Sequence, residues 1–226
     1  GGGGGGGGGG YRSTTRKVMQ VTLDTKYTVT HAWYEMLTEG YQRILQEPKA
    51  QKLHFDPSER RTIVEIGVYE GASSCWWSDN LLEHPDSLLY SIDPFLGNVE
   101  YQQERENFPT LSQIEHIAKS NIAKSKHPGK VTVLKGASWD EFPDLSRDLK
   151  WTRREIDILY IDGEHTSEAV CRDIALYVPL VRRGGAVIID DYGHEDVRRG
   201  VDGALAALNC MENAFYTGWQ LWCVKN

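Results

Sequence analysis

Apolar residues along this chain follow two alternating rhythms. Short continuous runs read as strands buried on both faces: Thr62–Gly67, Ser87–Asp93, Lys130–Leu134, Ile156–Ile161 and Ala186–Ile189. Between them, apolar residues recur at helical spacing. Trp33, Met36, Leu37, Tyr41, Ile44 and Leu45 predict an amphipathic helix over about 30–46, and Ala72–Glu83 predicts a second. The polar stretch Glu100–Lys126 reads as a helix in two pieces broken near Pro109. Ser167–Val178, with Val170, Ile174, Tyr177 and Val178 inward, predicts another helix. So does Asp196–Leu208, with Val197, Val201, Ala204, Leu205 and Leu208 inward. Glu47–Arg61 contains Pro48 and Pro57 and reads as a connector. Ala214–Gly218 and Gln220–Val224 lie close enough to form an antiparallel hairpin at one edge. Strands alternating with helices predict a doubly wound α/β fold, its seven-stranded sheet mostly parallel under right-handed crossovers.

In such a fold the carboxyl ends of the strands open on a shared crevice. Two strands here end in carboxylates: I-D-I-L-Y-I-D-G-E-H runs from Ile156 to His165, and A-V-I-I-D-D-Y-G-H from Ala186 to His194. Asp162, Asp190 and Asp191 would meet in that crevice and repel one another unless a cation or a proton sits between them. The competing reading is that Asp162 and Asp190 cap the helices that follow. The first strand runs into E-I-G-V-Y-E-G-A-S-S, where glycines permit a tight turn and a close approach to a ligand. The spacing G-x-x-x-G disfavours a pyrophosphate-binding dinucleotide site, which needs G-x-G-x-x-G. Glu65, two residues before Gly67, suits a ligand with an ammonium group. Asp93, ending the second strand, suits two hydrogen bonds from ribose hydroxyls.

Composition bounds this picture. Gly1 to Gly10 is polyglycine, a tag or a segment of unassigned identity, and has no side chains to bury in a core. The remainder is long enough for one core. A formal net charge of −7 argues against nucleic acid as the main partner. The four cysteines, Cys75, Cys171, Cys210 and Cys223, have no zinc-finger or C-x-x-C spacing. Cys75 and Cys171 are expected among helix core residues, as free buried thiols in a reducing, cytoplasmic setting. No apolar run reaches membrane-spanning length.

Taken in order, V-E-I-G-V-Y-E-G-A-S, S-I-D-P-F, K-G-A-S-W-D, Y-I-D-G-E-H and I-I-D-D-Y-G-H resemble class I S-adenosylmethionine-dependent methyltransferases. More narrowly they resemble the metal-dependent small-molecule O-methyltransferases: catechol O-methyltransferase, and the macrocin-type sugar enzymes with their cephalosporin-pathway relatives. The likeness covers about 61–208. It implies a Rossmann-like methyltransferase domain over 61–226, preceded by an N-terminal helical segment or lid over 11–60. It further implies that Gly67, Tyr69 and Gly71 line the methionine portion of the cofactor, with Glu65 near its amino group. Asp93 would hold the ribose, Ser138 and Trp139 would cover the adenine, and Asp162 would also border the cofactor. A core aromatic is the alternative for Trp139. Asp162, Asp190 and Asp191 match the metal-ligand positions, which suits Mg²⁺ with Mn²⁺ or Ca²⁺ competing. His165 falls where catechol O-methyltransferase has its lysine base, and Glu164 near the acidic base of the sugar enzymes. His165 is preferred, being matched to neutral pH, and His194 is a further candidate.

The function this implies is methyl transfer from S-adenosylmethionine to a hydroxyl of a small molecule, assisted by a divalent cation. Acceptor walls are expected from 11–34, 95–108 and 192–199, with Trp33, Tyr34, Phe95, Tyr101 and Tyr192 lining an apolar cleft. A non-catalytic cofactor-binding scaffold, and a metal-independent methyltransferase acting on RNA or protein, are the alternatives. A homo-oligomer is compatible with all three.

Overall fold

A computed structural model describes residues 26–30, 33–97, 111–208 and 211–226. Helix α1 (Tyr34–Gln46) and a 3-10 turn (Pro48–Leu53) precede a sheet of seven strands. The order along the chain is β1 (Thr62–Ile66), α2 (Ala72–Leu81), β2 (Leu88–Ile92), α3 (Leu111–Lys124), β3 (Val131–Leu134), α4 (Ser138–Thr152), β4 (Ile156–Ile161), α5 (Ser167–Tyr177), β5 (Val181–Ile189), α6 (Glu195–Leu208), β6 (Met211–Tyr216) and β7 (Leu221–Lys225). Across the sheet the order is β3-β2-β1-β4-β5-β7-β6. The first five strands pair in parallel, and β7 joins antiparallel to both β5 and β6. The expected edge hairpin is therefore present, and the topology reverses between β1 and β4, where open α/β sheets bind ligands.

Alternation along the central strands sorts side chains to two faces. Val64, Ile66, Leu159, Ile161, Val187 and Ile189 pack against α4, α5 and α6. Ile63, Ile158, Tyr160 and Ile188 pack with Trp222 against α1 and α2, through Leu37, Tyr41, Ile44, Trp76 and Trp77. The inward positions expected over 167–178 (Val170, Ile174 and Tyr177 on α5, and Val178 in the 3-10 turn after it) are buried, as are Val197, Val201 and Ala204 on α6.

Four expectations need correction or limits. Helix α4 had no counterpart in the periodicity reading. Pro143 sits inside it and only Ser138, Leu145 and Leu149 are buried on it, so its apolar stripe is thin. Strand β5 begins five residues earlier than expected. Arg182–Gly185 forms an irregularity opposite β4, where Ile156 pairs Val181 but Ile158 pairs Ala186, and the R-R-G-G sequence there reads as a turn. Cys171 is exposed on α5, whereas Cys75 and Cys223 are buried. Gly1–Gly10, Tyr101, Cys210, the first piece of the 100–126 helix and the side chains of Leu205 and Leu208 lie outside the described residues. Among the described residues no helix is long and apolar enough to cross a membrane.

Candidate active site

The sheet's hydrogen bonding continues one residue past the ends of four strands. Asp93 N–H donates to Leu134 O (3.1 Å), Gly67 N–H to Ile92 O (2.9 Å), Asp162 N–H to Ile66 O (2.8 Å) and Asp190 N–H to Ile161 O (2.9 Å). Four residues singled out from the sequence thus stand side by side along one end of the sheet. A cavity of about 650 Å³ opens over them. That is room for a cofactor-sized ligand together with a small acceptor.

One half of the cavity is the turn after β1. Gly67 has φ +92°, and a Cβ there would stand 1.8 Å from the Asp162 carbonyl oxygen. The turns after β1 and β4 therefore touch at a point where only glycine fits. Gly67 and Tyr69 line the cavity. Gly71 stands back from it, opening α2 with φ +78°. Asp93 ties the turn down: one carboxylate oxygen accepts from Val68 N–H (2.7 Å) and Tyr69 N–H (2.9 Å), the other from Phe95 N–H (2.6 Å). An ionised carboxylate accepts about four hydrogen bonds, and three of these are taken up by the backbone here. Glu65 lies beneath the turn, fully buried and off the cavity wall. The hydroxyls of Ser74 and Ser91 donate to its Oε2. Burial outweighs the serine hydrogen bonds and pushes its carboxyl up to about 7.

Ser138 and Trp139 open α4 and also line the cavity. Trp139 is 43 % exposed, with the Arg172 guanidinium 4.4 Å from its ring centre, so it is not a core aromatic. The Ser138 hydroxyl is committed to Asp173, whose carboxyl burial raises to about 6.

The other half collects the acids. Ligand atoms of Asp162, His165 and Asp191 lie within 4.8 Å of one another. His165 Nε2 is 3.2 Å from Asp191 Oδ2 and 3.9 Å from Asp162 Oδ1. Asp191 adopts φ +51°, a left-handed conformation held by its N–H donating to Asp190 Oδ1 (2.8 Å). Asp190 turns inward instead: its Oδ2 accepts from the Tyr160 hydroxyl and from Gln220 Nε2 (3.1 Å). The three expected acids therefore meet, but Asp190 stands behind the other two and His165 takes its place in the cluster. Desolvation, first, and the neighbouring acids, second, push the carboxyls of Asp162 and Asp190 above the usual carboxylate range. Helix capping does not account for Asp162, because Thr166 caps α5 by accepting from Ala169 N–H (3.3 Å). Glu164 and His194 line the cavity outside the three-residue cluster.

Beyond the acids the wall is apolar. Trp33, Met36, Phe95, Leu96 and Trp219 contribute, while Tyr34 and Tyr192 do not. Trp33 reaches the cavity because the preceding segment is pinned. Thr30 donates through its N–H (2.8 Å) and hydroxyl (3.0 Å) to buried Glu70, and Asn121 bridges Thr28 O and Glu70 O (both 2.8 Å). Its ring then packs 5.3 Å from that of Tyr69. Glu70, Tyr160, Trp219 and Gln220 were not legible as site residues. Each looks ordinary in its own segment, and only the folded contacts give it a role.

Comparison with known proteins bears on the family and the fold. Residues 64–192, more than half of the chain, match a family model described as a methyltransferase domain. A curated relative, the uncharacterized protein R132 of Acanthamoeba polyphaga mimivirus, is 32% identical over 134 residues, 58% of this chain and 51% of the relative. The chain thus spans about half the length of the curated relative it matches. Among solved structures, the calicheamicin methyltransferase CalS11 superposes with TM-score 0.56 at 12% identity, covering 84% of this chain and 78% of that one. The O-methyltransferase TomG from Streptomyces achromogenes, in complex with SAM, gives 0.56 at 19% identity over 86% of both chains. An O-methyltransferase from Bacillus cereus, in complex with SAH, gives 0.53 at 18% identity, with 86% and 90% coverage. At these identities the likeness speaks for the fold. With the strand order, the crevice and the family match in agreement, the chain belongs to the methyltransferase-domain family, with the fold of the S-adenosylmethionine-dependent enzymes.

Proposed function

We propose that this chain transfers a methyl group from S-adenosylmethionine to a hydroxyl of a small molecule, with a divalent cation at the acid cluster. One observation carries the reading. Asp162, His165 and Asp191 converge on the same cavity that Gly67, Tyr69, Asp93 and Trp139 line. The methionine portion of the cofactor would lie along Gly67 and Tyr69. Asp93 would accept one ribose hydroxyl, and the exposed face of Trp139 would cover the adenine. Trp33, Met36, Leu96 and Trp219 would hold an apolar or ring-shaped acceptor. The N-terminal segment, carrying Trp33, would act as one wall of the domain that follows.

The donors fit a hard divalent cation. The carboxylates of Asp162 and Asp191 lie within 4.8 Å of each other, and the crowded acids of this half favour a positive charge among them. Asp162 and Asp191 would hold the ion, Mg²⁺ or Mn²⁺, with Asp190 behind them. The bound ion would supply Lewis acidity at the acceptor hydroxyl. His165 would be the base that takes the acceptor hydroxyl's proton, and S-adenosylmethionine, when bound, would supply the methyl group and leave as a neutral thioether. The Nε2 of His165 lies 3.2 Å from Asp191 Oδ2 and 3.9 Å from Asp162 Oδ1, which sets the ring beside the proposed ion site. Glu164 is the alternative proton acceptor on the same wall.

The test is methyl transfer from labelled cofactor to a panel of neutral phenols and glycosides, with and without chelator. The expected result is turnover that EDTA abolishes and Mg²⁺ or Mn²⁺ restores. Turnover indifferent to EDTA would remove the cation. Cofactor binding without turnover on any hydroxyl would favour a non-catalytic scaffold.

A further inference from the structure

Behind the acid cluster runs a buried chain of hydrogen bonds whose members come from three separate parts of the sequence. The Trp222 indole Nε1–H donates to Gln220 Oε1 (3.0 Å), and Gln220 Nε2 donates to Asp190 Oδ2 (3.1 Å). The Tyr160 hydroxyl contacts Asp190 Oδ2 and lies 3.2 Å from Asp162 Oδ2. Tyr160, Gln220 and Trp222 are at most 2 % exposed. An indole nitrogen can only donate, so Trp222 decides which end of the Gln220 amide is the oxygen. The amide N–H₂ is thereby left facing Asp190. The side chain has little freedom to turn, because α1 presses on it at Gly40, where a Cβ would stand 2.7 Å from Gln220 Oε1. Tyr160 is fixed in its turn by Trp77, whose ring centre is 5.6 Å from its own in an edge-on arrangement.

We propose that Tyr160 and Gln220 are positioning residues for the divalent-cation site, a proposal that rests on the cation reading above. Tyr160 bridges Asp162 and Asp190, and so ties the acid after β4 to the acid after β5. Gln220 holds the same oxygen of Asp190 from the hairpin. Asp190, so fixed, accepts the Asp191 N–H that keeps Asp191 in its left-handed turn. The orientation of both outward carboxylates therefore depends on groups that touch neither cation nor substrate. Losing such outer partners typically weakens metal affinity by about 10- to 100-fold.

The test titrates Mn²⁺ into wild type, Tyr160→Phe and Gln220→Met, following free Mn²⁺ by electron paramagnetic resonance. Tyr160→Phe removes one donor at nearly constant shape, and Gln220→Met keeps about the same length while removing both the donor to Asp190 and the acceptor of the Trp222 indole. Cofactor affinity by calorimetry reports whether the other half of the cavity is intact. The expected result is Mn²⁺ affinity about 10- to 100-fold weaker in each variant, with cofactor affinity unchanged and methyl transfer restored at high Mn²⁺. A merely structural lesion would not be rescued by the ion. Wild-type Mn²⁺ affinity in both variants would overturn the proposal alone. Wild type that binds no Mn²⁺ saturably would overturn the cation reading and this proposal with it. Should Tyr160→Phe lose cofactor binding through misfolding, Gln220→Met decides the question.

Discussion

The two halves of the cavity are built differently. The half proposed for the cofactor is assembled from near neighbours in sequence and held by backbone groups. Gly67, Val68 and Tyr69 follow β1 directly, and a single carboxylate, Asp93, gathers three N–H groups around them. Its buried acid, Glu65, is packed out of sight beneath the turn, where Ser74 and Ser91 donate to it. The acid half is assembled from afar and held by side chains. Asp162, Asp190 and Asp191 come from two strands, Tyr160 from inside one of them, and Gln220 from the C-terminal hairpin. In the first half the turn is held by Asp93 with no ligand present, although the buried Oε1 of Glu65 has no hydrogen-bond partner among the described residues. The second keeps like charges close together, an arrangement that costs stability until a proton or a cation intervenes.

The contact between the halves is the sharpest place to break this division. Gly67→Ala puts a Cβ 1.8 Å from the Asp162 carbonyl oxygen and asks alanine to hold φ +92°. A loss on the order of 4 kcal/mol in unfolding free energy is expected, together with loss of cofactor binding. Denaturant titration checks it, and a variant with wild-type stability would mean that the two turns do not bear on each other.

The buried charge gives the next largest effect. The folded Glu65 carboxyl is raised from 4.5 to about 7. Its contribution is fully present below pH 4.5 and is lost as pH rises through 7. Glu65→Gln should then remove a stability loss of about 3 kcal/mol between acid and alkaline conditions, since each pKa unit is worth about 1.4 kcal/mol. Urea midpoints measured from pH 5 to pH 9 report the slope, and equal slopes in both proteins would contradict the burial argument. Asp173 shifts in the same direction, so some slope remains in the variant.

A paired substitution separates the halves functionally. Asp162→Asn should reduce cation-dependent transfer by about 100-fold while lowering cofactor affinity less than tenfold. Without cation it should melt no lower than wild type, because the folded carboxyl it replaces lies above the usual range and its ionised form is repelled by Asp190. Asp93→Asn should do the reverse, weakening cofactor binding and lowering stability while leaving Mn²⁺ affinity in place. Identical profiles for the two variants would mean that the cavity acts as one unit.

The smallest effect expected is at the rim. Trp139→Ala removes one aromatic face, which is worth about 1 kcal/mol in such stacks. Cofactor affinity should fall about five- to tenfold, with stability nearly unchanged because the ring is 43 % exposed. Unaltered affinity would remove Trp139 from the adenine site.

The sequence by itself determined the frame. Continuous apolar runs separated by helical periodicity are enough to specify a parallel sheet, and a parallel sheet collects whatever ends its strands at one edge. Gly67, Asp93, Asp162 and Asp190 were legible for that reason: each sits one residue past a strand, a position that local pattern alone identifies. Helix α4 escaped because its buried stripe is thin and contains Pro143. The left end of β5 escaped because R-R-G-G reads as a turn while the chain keeps pairing around it. What only the tertiary structure decided is orientation. The acid doublet looks symmetrical in sequence, yet Asp190 faces inward and Asp191 outward. The outcome depends on Tyr160 thirty residues before and Gln220 thirty residues after. Side-chain direction at a strand end is set by partners that arrive from other elements, and no local periodicity encodes where those elements come to rest.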